Sequence, residues 1–196
     1  ERDYTFMRII VGITGATGAI YGIRMLEALR EAGVETHLVM SKWAETTIGL
    51  ETNYTVAEVR QLASVVHAPS NQAASISSGS FRVSGMIIAP CSMKTLASIR
   101  GGYSEGLIGR AADVVLKERK KLVLLTRETP FNDIHLENML KLSRIGARIL
   151  PAVPGFYQKP KTLDDLVDFV VGKAMDMLDL PHSLFQRWGE HKNGES

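Results

Sequence analysis

The sequence predicts a single-domain α/β fold, a doubly wound parallel sheet with helices on both faces. Three observations predict it. Short apolar runs, Arg8-Ile9-Ile10-Val11, Gly85-Met86-Ile87-Ile88-Ala89-Pro90 and Leu122-Val123-Leu124-Leu125-Thr126, have no polar alternation and read as strands buried on both faces. Segments with helical apolar spacing separate them, and strands alternating with helices require right-handed crossovers over a parallel sheet. Four of the strands end in glycine, hydroxyl or charged residues, and in such sheets ligands bind outside the carboxyl ends of the strands.

In chain order, the first strand runs into Gly12-Ile13-Thr14-Gly15-Ala16-Thr17-Gly18, a tight loop, and then a helix with Ile20, Ile23, Met25, Leu26 and Leu29 on its apolar face. Gly33 stops that helix, and residues 34–40 form a second strand. Ser41 caps a helix through Trp43, Ala44, Ile48 and Leu50, and Thr55-Val56-Ala57-Glu58 has the form of a capping box. Residues 67–80, with Pro69, Asn71, four serines and Gly79, show too little periodicity for an element and read as an ordered loop. Leu96 and Ile99, then residues 107–116, carry helical spacing interrupted by Gly101-Gly102. A helix over 133–145, a strand at Arg148-Ile149-Leu150, a proline-rich loop to Pro160 and a last helix opened by Thr162 complete the chain. Residues 1–7 are expected to be a tag remnant or short extension, residues 8–190 the domain, and 191–196 a tail.

Composition narrows the function. The 196 residues are 45% hydrophobic, enough to bury a core, and 23 Lys and Arg face 21 Asp and Glu. That near-balance gives no basic stripe, so nucleic-acid binding is not expected. One cysteine excludes an intramolecular disulfide and a cysteine-rich zinc site, as in a cytoplasmic protein. No apolar run approaches the ~20 residues of a membrane span, and no leader is expected. The five histidines have no metal-ligand spacing.

The polar strand ends, Thr14 to Gly18, Ser41-Lys42, Cys91 to Thr95 and Arg127-Glu128, read as one site edge. A glycine loop opening a helix gathers unpaired N–H groups where about half a positive charge accumulates, so phosphate is the expected guest, with Thr14 and Thr17 adding hydroxyls. The second strand ends Met40-Ser41-Lys42 without the acidic residue that holds the ribose of NAD, although Lys42 suits the extra phosphate of NADP. The loop also lacks the Gly-Lys-Ser/Thr ending of a triphosphate site. FMN fits better, with one phosphate for one loop and a ring to be covered by the strand ends. Cys91 has no histidine near it in sequence and reads as a small buried side chain. Lys117-Glu118-Arg119-Lys120-Lys121 reads mainly as a solvated helix end.

Thr14-Gly15-Ala16-Thr17-Gly18-Ala19, the Ser-Gly-Ser-Phe run at 78–81, Pro90-Cys91-Ser92-Met93-Lys94-Thr95, Arg110-Ala111-Ala112-Asp113-Val114-Val115-Leu116-Lys117-Glu118, Arg127-Glu128-Thr129-Pro130, His135-Leu136-Glu137-Asn138-Met139 and Pro154-Gly155-Phe156-Tyr157 together resemble the flavin prenyltransferases of the UbiX type. The match runs from Arg8 to Trp188. The resemblance implies a Rossmann-like three-layer flavoprotein that transfers the dimethylallyl group of dimethylallyl monophosphate to N5 and C6 of reduced FMN without a metal. Its product would serve a prenylated-FMN-dependent decarboxylase of aromatic acids, as in ubiquinone biosynthesis or phenolic acid detoxification. By the same resemblance Gly15, Ala16, Thr17, Ser41, Ser92, Met93, Lys94, Thr95 and Arg127 would hold FMN. Tyr157 and Lys173 would bind the substrate phosphate, with Arg110, Lys117 and Glu51 near it. Glu128 would handle protons, Thr17 and Lys117 would assist, Trp188 would border the prenyl group, and the sites would lie between subunits of a dodecamer. Two positions depart from the family pattern: Thr17 replaces a usual serine and Lys173 a frequent arginine, keeping the charge but losing its fork. The rivals are a non-catalytic FMN carrier, an FMN-dependent cysteine-type decarboxylase and an NADP oxidoreductase. The decarboxylase relatives carry a catalytic histidine before the third strand, whereas no histidine lies between His67 and His135 here.

Overall fold

In the computed structural model, residues 7–104 and 106–189 are described. The elements alternate as β1 (Arg8–Ile13), α1 (Ala19–Glu31), β2 (Glu35–Met40), α2 (Lys42–Glu51), α3 (Val56–Leu62) and β3 (Val65–His67). They continue as β4 (Gly85–Cys91), α4 (Met93–Gly101), α5 (Leu107–Lys117), β5 (Lys121–Thr126), α6 (Asp133–Arg144), β6 (Arg148–Pro151) and α7 (Leu163–Met177). The six strands form one parallel sheet in the order β3-β2-β1-β4-β5-β6.

Side chains of each strand alternate between the two faces. Ile9, Val11 and Ile13 of β1 and Ile87 and Ala89 of β4 pack under α1 and α7. Ile10, Met86 and Ile88 face a second core beneath α4, α5 and α6. Two apolar cores on one sheet give three layers, as the uninterrupted apolar runs require.

The winding moves outward from β1 to β3, then returns to place β4 on the other side of β1. Adjacent β1 and β4 therefore send their connections to opposite sides, and a crevice opens outside their carboxyl ends. Helix α1 approaches this point closely. A Cβ added to Gly22 would lie 2.3 Å from the Ala89 carbonyl oxygen and 2.8 Å from Ile13 Cδ1, so glycine is needed there for helix-on-sheet contact.

Two boundaries differ from the sequence reading. The loop expected over 67–80 begins with the end of β3 and contains a single 3-10 turn at Ser75–Ser77. Three half-exposed edge residues are too few to display a period. Met7, grouped with the extension, packs against the core, and its carbonyl accepts from the Glu35 N–H at 3.1 Å. The remainder of that extension and the tail at 191–196 lie outside the described residues.

Gly22→Ala is expected to destabilise the fold by about 2 kcal/mol through overpacking against β4. Thermal denaturation would register this as a midpoint about 4–8 °C lower.

Candidate functional site

The crevice is built on one buried side chain. Thr14, 2% exposed at the end of β1, donates its hydroxyl to the Pro90 carbonyl at 2.6 Å. The same oxygen accepts from the Ser92 N–H at 2.9 Å, and the Thr14 N–H reaches Pro90 O at 3.3 Å. The Ser41 N–H donates to Ile13 O at 3.0 Å. These bonds fix the ends of β1, β2 and β4 relative to one another. Thr14 was expected to offer its hydroxyl to a ligand; the structure uses it between the strands instead.

Above these ends lies a cavity of about 380 Å³. Gly15, Ser41, Trp43, Ser92, Lys94 and Thr95 line one side, with Pro69 and the segment 106–109 closing the other. That volume suits a mononucleotide. Gly15 has no room for a side chain, since a Cβ would stand 2.4 Å from Trp43 Cβ, so glycine lets α2 close against the β1 loop.

Helix N-termini supply the electrostatics. Ser41 caps α2 by accepting from the Ala44 N–H at 3.1 Å, and Ser92 caps α4 by accepting from the Thr95 N–H at 3.2 Å. Ser92 Oγ donates to Thr95 Oγ1 at 3.1 Å, leaving the Thr95 proton for an anion. Caps satisfy only part of a first turn, so the remaining N–H groups of both helices favour negative charge at the cavity. Helix α1 differs: Glu51 Oε2 accepts from the Gly18 N–H at 2.8 Å and the Ala19 N–H at 3.3 Å. The amides at the start of α1, expected to receive phosphate, already hold a carboxylate, and the open N-termini at the cavity are those of α2 and α4.

Ala16 and Thr17 continue the loop after Gly15, with Thr17 exposed, and Met93 opens α4 partly buried. Arg127 follows β5 and lies across the same edge, its Cγ 4.0 Å from where a Gly18 Cβ would be. Burial pushes the Tyr21 phenol above its ordinary pKa, and the Arg127 charge works against that rise. Glu128 is exposed, and its Oε1 accepts from the Thr129 N–H at 3.0 Å.

The other expected residues are elsewhere on the chain. Arg110 pairs with Asp113 at 3.0 Å, and Lys117 with Glu118 at 2.5 Å, both along α5. Tyr157 and Trp188 meet edge-on with ring centroids 5.4 Å apart, and Tyr157 also packs edge-on to Phe169 of α7. Lys173 is exposed one helical turn beyond Phe169. The remaining expected residues thus fall into three groups: Arg127 and Glu128 after β5, the ion-paired Arg110 and Lys117 on α5, and the Tyr157–Trp188 pair.

Sequence reasoning did not assign Trp43, Pro69 or residues 107–109 to the cavity. Pro69 lay in a loop of functional length; Trp43 and Leu107 looked like ordinary helix residues. Cys91 is fully buried, and burial pushes its thiol up to about 12. Among the described residues no group of three His, Cys, Asp or Glu is placed to hold a metal ion, and no helix is long and apolar enough to cross a membrane.

The flavoprotein family profile matches residues 1–175. A probable UbiX-like flavin prenyltransferase of Streptomyces sp. (strain D7) is 61% identical over 183 residues, covering 93% of this chain and 92% of that protein. The chain belongs to the flavoproteins, as a UbiX-type flavin prenyltransferase. Among solved structures of that type, AnUbiX in complex with FMN and dimethylallyl pyrophosphate superposes with a TM-score of 0.93 at 55% identity, covering 95% of this chain and 99% of that one. A dodecameric FMN-dependent UbiX-like decarboxylase from Escherichia coli O157:H7 superposes at 0.91 with 60% identity, over 93% and 99% of the two chains.

Two outcomes test this UbiX-type crevice. Thr14→Val keeps the side-chain shape but leaves the Ser92 N–H without its acceptor; a loss of about 1–3 kcal/mol, read by thermal melting, is expected together with weaker FMN binding. Cys91 should resist alkylation by iodoacetamide at pH 8 in the folded protein at least ~100-fold more than after denaturation, because the thiolate is the reactive form.

Proposed function

We propose that the protein transfers the dimethylallyl group of dimethylallyl monophosphate to N5 and C6 of reduced FMN, releasing phosphate and giving prenylated FMN for a partner decarboxylase. One observation carries the reading: a relative whose fold superposes almost throughout is in complex with FMN and dimethylallyl pyrophosphate. The residues present fit FMN, since a mononucleotide-sized cavity sits at the switch point with two helix N-termini, Lys94 and the Thr95 hydroxyl facing it. Gly15, Ala16, Thr17, Ser41, Ser92, Met93, Lys94, Thr95 and Arg127 are the residues proposed to hold it.

The donor is proposed to bind where Tyr157, Lys173, Arg110, Lys117, Glu51 and Trp188 come together between copies. The E. coli relative is dodecameric, which supports a homo-oligomer, a dodecamer, as the active form. Cytoplasmic localisation belongs to the same reading, supported by a single, buried, unpaired cysteine.

The chemistry needs charge control. The donor's C–O bond breaks with its electron pair leaving on phosphate, while N5 of the reduced flavin bonds to the freed carbon and gives up its proton. Phosphate leaves less readily than pyrophosphate, so preorganised cations at Arg127, Lys173, Arg110 and Lys117 stabilise the charge growing on its oxygens. The Trp188 face stabilises positive charge on the allyl carbon by cation–π attraction, worth about 1–2 kcal/mol when desolvated. Ring closure adds a proton to the alkene, forms the bond from C6 to the tertiary carbon and removes the C6 proton. Glu128, beside Arg127 at the end of β5, is the proposed carrier of the phosphate and ring-closure protons.

FMN titration and turnover of Glu128→Gln test the assignment together. Unchanged FMN affinity with turnover slowed at least ~100-fold is expected for a general acid–base residue. Wild-type turnover in that variant would remove Glu128 from the chemistry.

A further inference from the structure

After α7 the chain has no regular secondary structure through residues 178–189, yet it ends on the exposed indole of Trp188. What holds this segment is a charged cluster on the last turn of α7. Asp176 Oδ1 and Oδ2 accept from Arg187 Nη2 and Nη1 at 2.6 and 3.1 Å, a two-pronged contact. His182, whose side chain is only 3% exposed, places Nε2 at 3.0 Å from Asp176 Oδ1. Its Nδ1 accepts from the Leu184 N–H at 3.2 Å, which leaves the Nε2 proton to be donated to the carboxylate. Burial works against the Asp176 charge, but the bonds from Arg187 and His182 outweigh it and hold the carboxyl below its usual range.

An aromatic stack completes the attachment. Phe185 lies 5.1 Å from Phe169 and 5.0 Å from His182 between ring centroids, with the Arg187 guanidinium 5.6 Å from the Phe185 ring. Gly172 leaves the space for it, because a Cβ there would stand 2.5 Å from the Phe185 ring. Phe169 also carries Tyr157, and Tyr157 meets Trp188. Gln158 ties the two segments together by donating to the Gln186 carbonyl.

We infer that Asp176 is a positioning residue for prenyl-donor binding: it clamps the 182–187 segment onto α7 and thereby sets Trp188 against Tyr157. The inference rests on the proposed function, in which those two rings face the donor. Both Asp176 oxygens are engaged by Arg187 and His182. One α7 face thus carries Phe169, Lys173 and Asp176 at helical spacing, joining the donor's rings and charge to the clamp that orients them.

The test uses Asp176→Asn in the full-length oligomer with two readouts. Trypsin cleavage after Arg187, followed by mass spectrometry, should be at least ~5-fold faster once the guanidinium loses the charge of the Asp176 carboxylate. The KM for dimethylallyl monophosphate should rise about tenfold while FMN affinity stays at the wild-type value, since misplacement of binding groups by fractions of an ångström is costly. Arg187→Lys keeps the charge and the tryptic site but not the two-pronged contact, and should move both readouts in the same direction by less. It carries the test if Asp176→Asn fails to fold. Unchanged cleavage overturns the clamp; faster cleavage with unchanged KM, or an equal loss of FMN affinity, overturns the positioning role. A wild-type protein that transfers no prenyl group contradicts the proposed function instead, and the cleavage rates still decide the clamp.

Discussion

The Thr14 hydroxyl holds together the two strands between which the sheet reverses direction. It donates to the Pro90 carbonyl and accepts from the Ser92 N–H, so the ends of β1 and β4 and the start of α4 share one buried oxygen. A bond of this kind has no competing water, and an unmet N–H there would cost about 1–3 kcal/mol. Everything at the crevice depends on it. The direction of the α4 N-terminus, the height of the Gly15 loop and the approach of α2 through Ser41 all follow from how these strand ends are locked.

That lock leaves a division of labour among three helix N-termini. Each concentrates positive potential, but α1 satisfies its first amides internally with Glu51, while α2 and α4 open toward the cavity. With the first amides of α1 occupied by that carboxylate, the N–H groups left facing the cavity are those at the starts of α2 and α4. Glu51 lies at the end of α2 and reaches back to α1, so it also fixes the angle between the helices flanking the glycine loop.

The sheet was legible in the sequence because its central strands are buried on both faces, and apolar runs such as 85–90 and 122–126 admit little else. The capping box at Thr55 and the helix start at Thr162 were located within a residue. The three-residue edge strand β3 was not legible, since pairing with β2 alone defines it and half-exposed residues leave no pattern. At the cavity wall, Ser41, Ser92 and Thr95 were readable because hydroxyls at the ends of apolar strands have no packing role. Thr14 met the same criterion and has the opposite use, a distinction set by a hydrogen bond 76 residues away in sequence. Trp43 at the cavity wall was hidden because its placement depends on Gly15 lacking a Cβ, a through-space contact that no local spacing encodes.

Arg110 and Lys117 of α5 are held by Asp113 and Glu118, and Tyr157 packs against Trp188, so in the proposed function the groups that meet the donor come from several elements of the fold. Flavin binding alone would not distinguish that account from a carrier. The most direct test is anaerobic incubation of the purified protein with FMN, dithionite and dimethylallyl monophosphate, followed by mass spectrometry of the released flavin. The account predicts a flavin heavier by one C5 unit, with equimolar phosphate; FMN that is bound and recovered unchanged would contradict it.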